Sequence, residues 1–210
     1  MNRFNEGNFR SLCDYLIKID KDLKLIIKQY GYPPMWTREN SFATLILTIL
    51  EQQVSLASAF AAFKRLTEKL PLITPQELLK LSDEELRQCS FTRQKIIYAR
   101  GLADALVGEK ISLQQFEFEE DDVVRTTLKK LKGIGDWTAD IYLLHALRRI
   151  DIFPIGDLAL VNALKEIKSL APETTKEEIL DIAQAWVPYR SIATMICWHY
   201  YIQKRNLKLP

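Results

Sequence analysis

The residues most suited to chemistry in this sequence lie in the string Leu131-Lys132-Gly133-Ile134-Gly135. Val123, Val124, Thr127, Leu128 and Leu131 repeat with a helical period, the glycines cut that helix, and Trp137, Ile141, Leu144 and Leu147 mark one stripe of the next. So short a turn leaves the first amides of the second helix, around Gly135 to Trp137, without intrahelical acceptors, an arrangement that suits a phosphate oxygen. Glycine at both hairpin positions permits left-handed dihedrals and lets another backbone approach. A contact of this kind binds a polyanion through neutral groups, which matters because a net charge of only +2 creates no whole-surface field. A glycine-ended helical hairpin without a ligand is the plainer alternative at this point.

Other residue types narrow the choice. Asp157 stands before Leu158-Ala159-Leu160-Val161-Asn162-Ala163 and by itself reads as a helix N-cap. Glu51-Gln52-Gln53 interrupts an apolar stretch, and amides in such a setting need partners or a ligand. Cys13, Cys89 and Cys197 are far apart with no CxxC pair, so no disulfide framework, zinc site or iron–sulfur site is visible, and reduced packing thiols are expected. His145 and His199 are the only histidines, which leaves little for a His-based metal site or triad. The acidic run Glu117, Glu119, Glu120, Asp121 and Asp122 reads as a solvated helix entrance favoured by the macrodipole.

The elements that must position these residues are helical. Seven glycines in 210 residues, with long stretches rich in Leu, Ile, Ala, Lys and Glu, predict an all-α chain. A first helix is expected from Asn8 to Tyr30, stopped by Gly31-Tyr32-Pro33-Pro34, and a second stretch from Ser41 to about Leu70, broken near Glu51-Gln52-Gln53. Shorter helices follow at Pro75–Leu81 after Thr74 and at Asp83–Cys89 after Ser82, then one from about Arg93 to Val107 that ends at Gly108. With 48% hydrophobic and 27% charged residues the composition is that of an ordinary soluble globular chain. No apolar run approaches the roughly 18–20 residues of a membrane span, which excludes a transmembrane protein, and the start MNRFNEGNFRSLCDYL lacks a secretory signal. No repeat, linker or low-complexity segment divides the chain.

The hairpin string continues as Asp136-Trp137-Thr138-Ala139 and is followed by Pro154-Ile155-Gly156-Asp157. With Ile49-Leu50-Glu51-Gln52-Gln53-Val54-Ser55 before it and Trp186-Val187-Pro188-Tyr189-Arg190-Ser191-Ile192-Ala193 after it, this order resembles the helix–hairpin–helix, Gly/Pro-rich-loop, aspartate (HhH-GPD) DNA glycosylases. Within them it is most similar to the alkylation-repair branch, 3-methyladenine DNA glycosylase II. The resemblance runs from about Trp36 to Trp198. It implies a single all-α unit over 1–210 with two lobes, one of about 45–130 and the other of about 1–44 plus 131–210, and DNA and base sites between them. The extra N-terminal β domain of some bacterial relatives is expected to be absent, since the chain has no room for it.

The same resemblance assigns roles. Asp157 matches the catalytic aspartate, a carboxylate that stabilises the sugar's developing oxocarbenium charge. A leaving base that is already cationic, such as an N3- or N7-alkylated purine, needs no second acid. Trp137 and Trp198 match pocket residues whose ring faces would hold a flipped cationic base, with Gln52 nearby. Ile141 stands where the prototype has a pocket tyrosine, which leaves Tyr142, one position on, as the candidate. Trp137 also occupies the position where bifunctional relatives carry an attacking lysine, so a monofunctional hydrolase without strand cleavage is implied. The lack of a C-terminal four-cysteine cluster points the same way.

Gln53 corresponds to the residue that fills the gap left by the flipped nucleotide, although it is polar where the prototype has an apolar wedge. Gly133, Ile134, Gly135, Asp136 and Thr138 would meet the DNA backbone, with Arg190 and Lys95 as phosphate neighbours. Backbone carbonyls of Lys129, Leu131 and Ile134 would hold a structural monovalent cation, Na+ or K+, and no other cofactor is expected. The implied partner is damaged double-stranded DNA, bound by a monomer away from any membrane, in the nucleus of a eukaryote or the cytoplasm and nucleoid of a prokaryote. Two alternatives stay open: a glycosylase for another damaged base such as hypoxanthine or ethenoadenine, and a helix–hairpin–helix DNA-binding module that has lost catalysis. A helical interaction scaffold would leave Gly-Ile-Gly unexplained.

Overall fold

A computed structural model describes residues 2–208. Among them the regular structure is entirely helical, in thirteen helices, and the only β feature is an isolated bridge between Arg3 and Arg149. No helix of the described residues is long and apolar enough to cross a membrane. The chain forms two compact units: the described residues up to Thr37 together with Leu143–Lys208, and Arg38–Tyr142.

The first unit begins with α1 (Phe9–Ile19) and α2 (Lys21–Tyr30). Their sequence reads as one helix, but the structure breaks it at Asp20, an extended residue whose carboxylate accepts the Asp22 and Leu23 amides. The same carboxylate accepts the buried Trp186 indole N–H at 2.8 Å and the Lys168 ammonium. Capping plus these two distant partners outweighs the continuous apolar period that favoured a single helix. The chain then passes through the second unit and returns to the first with α11 (Leu158–Ile167), α12 (Lys176–Gln184) and α13 (Arg190–Lys204). Cys13, Leu16, Leu160, Leu164, Trp186, Ile192, Ile196 and Cys197 are the buried heart of this unit.

The second unit holds α3 (Phe42–Glu51), α4 (Leu56–Lys69), α5 (Pro75–Lys80), α6 (Asp83–Gln88), α7 (Arg93–Val107), α8 (Leu113–Phe116) and α9 (Asp121–Lys129). It also holds most of α10 (Asp136–His145), whose last residues belong to the first unit. Ser41, Ser55, Thr74, Ser82 and Thr92 each accept an amide of the first turn they precede, contributing about 1 kcal/mol apiece. The acidic run opens α9 with Asp121 and Asp122 in its first turn, as expected. All three cysteines are buried and free.

The limits of the central unit differ from the expected 45–130. The hairpin 131–135 and the start of α10 belong to it, and two side chains explain why. Gln52 Nε2 donates to the Gly133 carbonyl and to the Thr138 hydroxyl, both at 2.9 Å, tying the end of α3 to the hairpin. The Arg125 guanidinium donates to Asp140 at 2.8 and 3.0 Å, locking α9 against α10.

Candidate functional site

The hairpin is built around one strained glycine and one open glycine. Gly133 has φ +89°, and a Cβ there would lie 2.1 Å from the ring of Tyr98 on α7, so both conformation and packing demand glycine. Gly135 is different: it is not left-handed, contrary to the expectation for both glycines, and a Cβ would meet nothing within 4 Å. Its small size therefore serves no contact within the protein and leaves room for something outside it. Ile134 is buried and anchors the turn, its N–H bonded to the Leu131 carbonyl at 3.1 Å, so only its backbone can face outward. The Ala139 amide bonds back to the Gly135 carbonyl, and the amides ahead of it precede the first intrahelical bond of α10. Asp136 is exposed at this terminus and pairs with Lys129 at 2.5 Å.

Several expected ligand contacts turn out to be internal. Thr138 is buried and its hydroxyl accepts Gln52, so neither Thr138 nor the Gln52 Nε2 group is directed at DNA or a base; together they splice α3 to the hairpin. Lys95 is buried too: its ammonium donates to the Leu50 carbonyl at 2.6 Å, at the C-terminal end of α3, and burial pushes its pKa down. Arg38 forks onto Glu51 at 2.6 and 2.8 Å, neutralising a carboxylate that the C-terminal end of a helix would otherwise repel. These bonds fix the end of α3 immediately before Gln53, which is exposed with φ 58°. A rigid stem therefore presents Gln53 outward in a backbone conformation that non-glycine residues seldom adopt.

In the first unit the structure brings Asp157 and Trp198 into direct contact. Asp157 caps α11, its Oδ1 accepting the Leu160 amide at 2.8 Å, and the same oxygen accepts Trp198 Nε1–H at 3.0 Å. Both residues are half-buried, and the next residue, Leu158, is 77% exposed, so the carboxylate stands next to a solvent-exposed apolar side chain. One face of the Trp198 indole is covered by His145, with ring centroids 5.4 Å apart and planes inclined by 14°. His145 Nδ1 lies 2.8 Å from the Trp36 carbonyl.

The loop carrying Asp157 is fastened to the start of α13. The fully buried Ser191 hydroxyl donates to the Arg149 carbonyl at 2.7 Å and accepts the Ile152 amide at 2.8 Å. Arg190 was expected beside phosphate, but its guanidinium clasps Asp151 at 2.7 and 2.8 Å, so it pins this loop and is committed there. Ser191 and Trp198 are seven residues apart and share a face of α13, so one helix grips the loop at its beginning and meets the carboxylate at its end. Asp151, Ser191 and His145 give this site its rigidity. Only their placement in three dimensions reveals it, although Arg190-Ser191 lay inside a string already singled out.

Trp137 is half-buried on the first turn of α10, in the other unit from Asp157 and Trp198. Tyr142, expected in the base pocket, is completely buried: its hydroxyl donates to Asn40 Oδ1 at 2.5 Å and its ring packs edge-on to Phe116, so its polar atom is engaged within the second unit. Ile141 is buried as well. No group of three or more metal-binding side chains occurs among the described residues. The carbonyls of Lys129, Leu131 and Ile134 are neutral oxygen donors at the end of α9 and in the turn, a set suited to a hard monovalent ion. That of Leu131 already accepts the Ile134 amide and has one lone pair left.

Helix, glycine hairpin, helix and a capped aspartate anchored by a later helix define a class of DNA-repair fold. The family described as HhH-GPD superfamily base excision DNA repair protein matches residues 46–189, and the chain belongs to it. It is similar to DNA-3-methyladenine glycosylase 1 of Schizosaccharomyces pombe, 27% identical over 191 residues that cover 88% of this chain and 84% of the relative. Among solved structures it resembles the S. pombe 3-methyladenine DNA glycosylase Mag1 in complex with abasic DNA, with a TM-score of 0.83 and 26% identity over 93% of this chain and 97% of that one. It also resembles a DNA-3-methyladenine glycosidase from Bacillus halodurans, with a TM-score of 0.76 and 27% identity over 98% of this chain and 95% of that one.

Proposed function

We propose that this chain is a monofunctional DNA glycosylase of base excision repair that hydrolyses the N-glycosidic bond of alkylated purines, 3-methyladenine and 7-methylguanine, flipped out of duplex DNA. The observation that carries the reading is the bonded pair of Asp157 and Trp198. As the base departs, positive charge grows on the sugar, and a carboxylate fixed by two N–H donors meets that charge without reorganising. It also orients the water that replaces the base. The leaving purine is already cationic, so its departure needs no protonation, and an electron-rich indole edge-bonded to the carboxylate holds the cation by its face. Base recognition and charge stabilisation would then act as one unit.

The hairpin would grip the DNA backbone through the amides that begin α10, with Gly135 admitting a phosphate at close range. Gln53 is suited to fill the vacated stack and pair with the orphan base. Trp137 offers no amine, so hydrolysis by water is favoured over Schiff-base chemistry. A sodium or potassium ion on the Lys129, Leu131 and Ile134 carbonyls would supply a positive charge between hairpin and phosphate. The protein would act as a monomer on damaged duplex DNA. The test is chromatography of bases freed from methylated duplex DNA: free 3-methyladenine and 7-methylguanine are expected, whereas tight DNA binding with no released base would support a non-catalytic module.

A further inference from the structure

We propose that His145 is a positioning residue for Trp198, holding the indole at the plane in which it can both grip a base and bond to Asp157. The inference rests on the glycosylase reading above and adds to it a residue from the opposite side of the tryptophan. A single N–H bond at 3.0 Å to Asp157 Oδ1 fixes one point of the Trp198 ring and leaves the ring able to swing about it. The stacked imidazole at 5.4 Å and 14° blocks that swing on one side. His145 is itself pinned, because a carbonyl can only accept: Nδ1 carries the proton and donates it to the Trp36 carbonyl at 2.8 Å. An aliphatic residue at the end of α10 would supply neither the flat face nor the donor. With one indole face taken by His145, a base that stacks on Trp198 would use the opposite face, in the order imidazole, indole, base.

Two substitutions separate the ring from the donor. His145→Phe keeps a flat face without the hydrogen bond, and His145→Asn keeps a donor without the ring. On a duplex carrying 7-methylguanine, His145→Asn is expected to lower kcat about three- to tenfold, the range of an aromatic pair, with KM changed by less than about twofold. His145→Phe is expected to return kcat to within about twofold of wild type. In a Trp198→Ala background His145→Asn should cost nothing more, since the interaction it removes is already gone. Wild-type kcat in His145→Asn, equal impairment of both variants, rescue by Asn and not Phe, or additivity with Trp198→Ala would each overturn the proposal. Near-ultraviolet circular dichroism tests the stack without catalysis. His145→Asn should change the aromatic band of the wild type and leave that of Trp198→Ala unaltered, and no change in either overturns the proposal. Wild-type protein that released no base would refute the glycosylase reading, and the dichroism comparison would still decide the role of His145.

Discussion

Replacing Gly133 by alanine should cost the fold heavily, whereas the same change two residues later should cost only DNA binding. At φ +89° an L-residue sits in left-handed territory, a penalty of about 1–2 kcal/mol. The new Cβ would also lie 2.1 Å from the Tyr98 ring, so Tyr98 must be displaced, and overpacking of that kind adds about 1–3 kcal/mol. Together these give about 2–5 kcal/mol, which for a chain of this size lowers Tm by about 4–20 °C. At Gly135 a Cβ meets nothing within 4 Å and the backbone is ordinary, so Gly135→Ala should stay within about 0.5 kcal/mol of wild type. Its loss should appear in affinity for damaged and undamaged duplex alike, because the hairpin reads backbone and not bases. Melting curves followed by circular dichroism, paired with fluorescence-anisotropy binding, measure both. Tyr98→Ala should recover part of the Gly133→Ala loss, leaving the dihedral share. A Gly133→Ala protein that melts with the wild type, or a Gly135→Ala protein that melts as low as Gly133→Ala, would refute the division of labour between the two glycines.

Truncating Trp198 or Trp137 to alanine should weaken base release by about 1–3 kcal/mol, the worth of stacking one base, while affinity for undamaged duplex holds; equal losses on both DNAs, in proteins that melt normally, would mean the rings only pack. Borohydride added during turnover should trap no protein–DNA adduct, since an imine requires an amine at the sugar and position 137 is tryptophan; a trapped band would expose lyase chemistry. Acid should weaken the first unit through Asp20. Burial raises its pKa, but Lys168, the Trp186 indole and the Leu23 amide more than offset this and hold it below 3.8, so its contribution is whole above that value and drains as pH falls through the folded-state pKa. The Tm gap between wild type and Asp20→Asn should therefore narrow as pH drops from about 5 to about 2; a gap that stays constant would contradict the assignment.

The caps and breakers were open to reading because they act within a few residues. Thr74, Ser82 and Gly108 bound their helices as their chemistry dictates, and the break after Glu51 follows from polar residues in an apolar run. Asp20 carries no such local signal, because the apolar period runs straight through it. What makes it a cap is reinforced by Trp186 and Lys168, well over a hundred residues away. The site shows the same division. The family resemblance singled out Asp157 and Trp198, which the structure brings into one hydrogen bond, whereas Tyr142, Thr138, Gln52, Lys95 and Arg190 have types that suit ligand contact and are spent on internal bonds. Residue type states what a side chain can bond to. Only the fold states which partner is nearer, and for those five a neighbouring carbonyl, hydroxyl, amide or carboxylate is already within reach.

The measurement closest to the central claim is single-turnover release of 7-methylguanine from duplex DNA by wild type and Asp157→Asn at matched DNA occupancy. Asparagine caps a helix as well as aspartate and its oxygen can keep the Leu160 and Trp198 bonds, so the variant loses charge and little else. Release should fall by at least about a hundredfold with DNA affinity and Tm retained, the scale expected when a preorganised group facing transition-state charge is removed. Release at the wild-type rate would show that the Asp157 carboxylate does not stabilise the departing sugar.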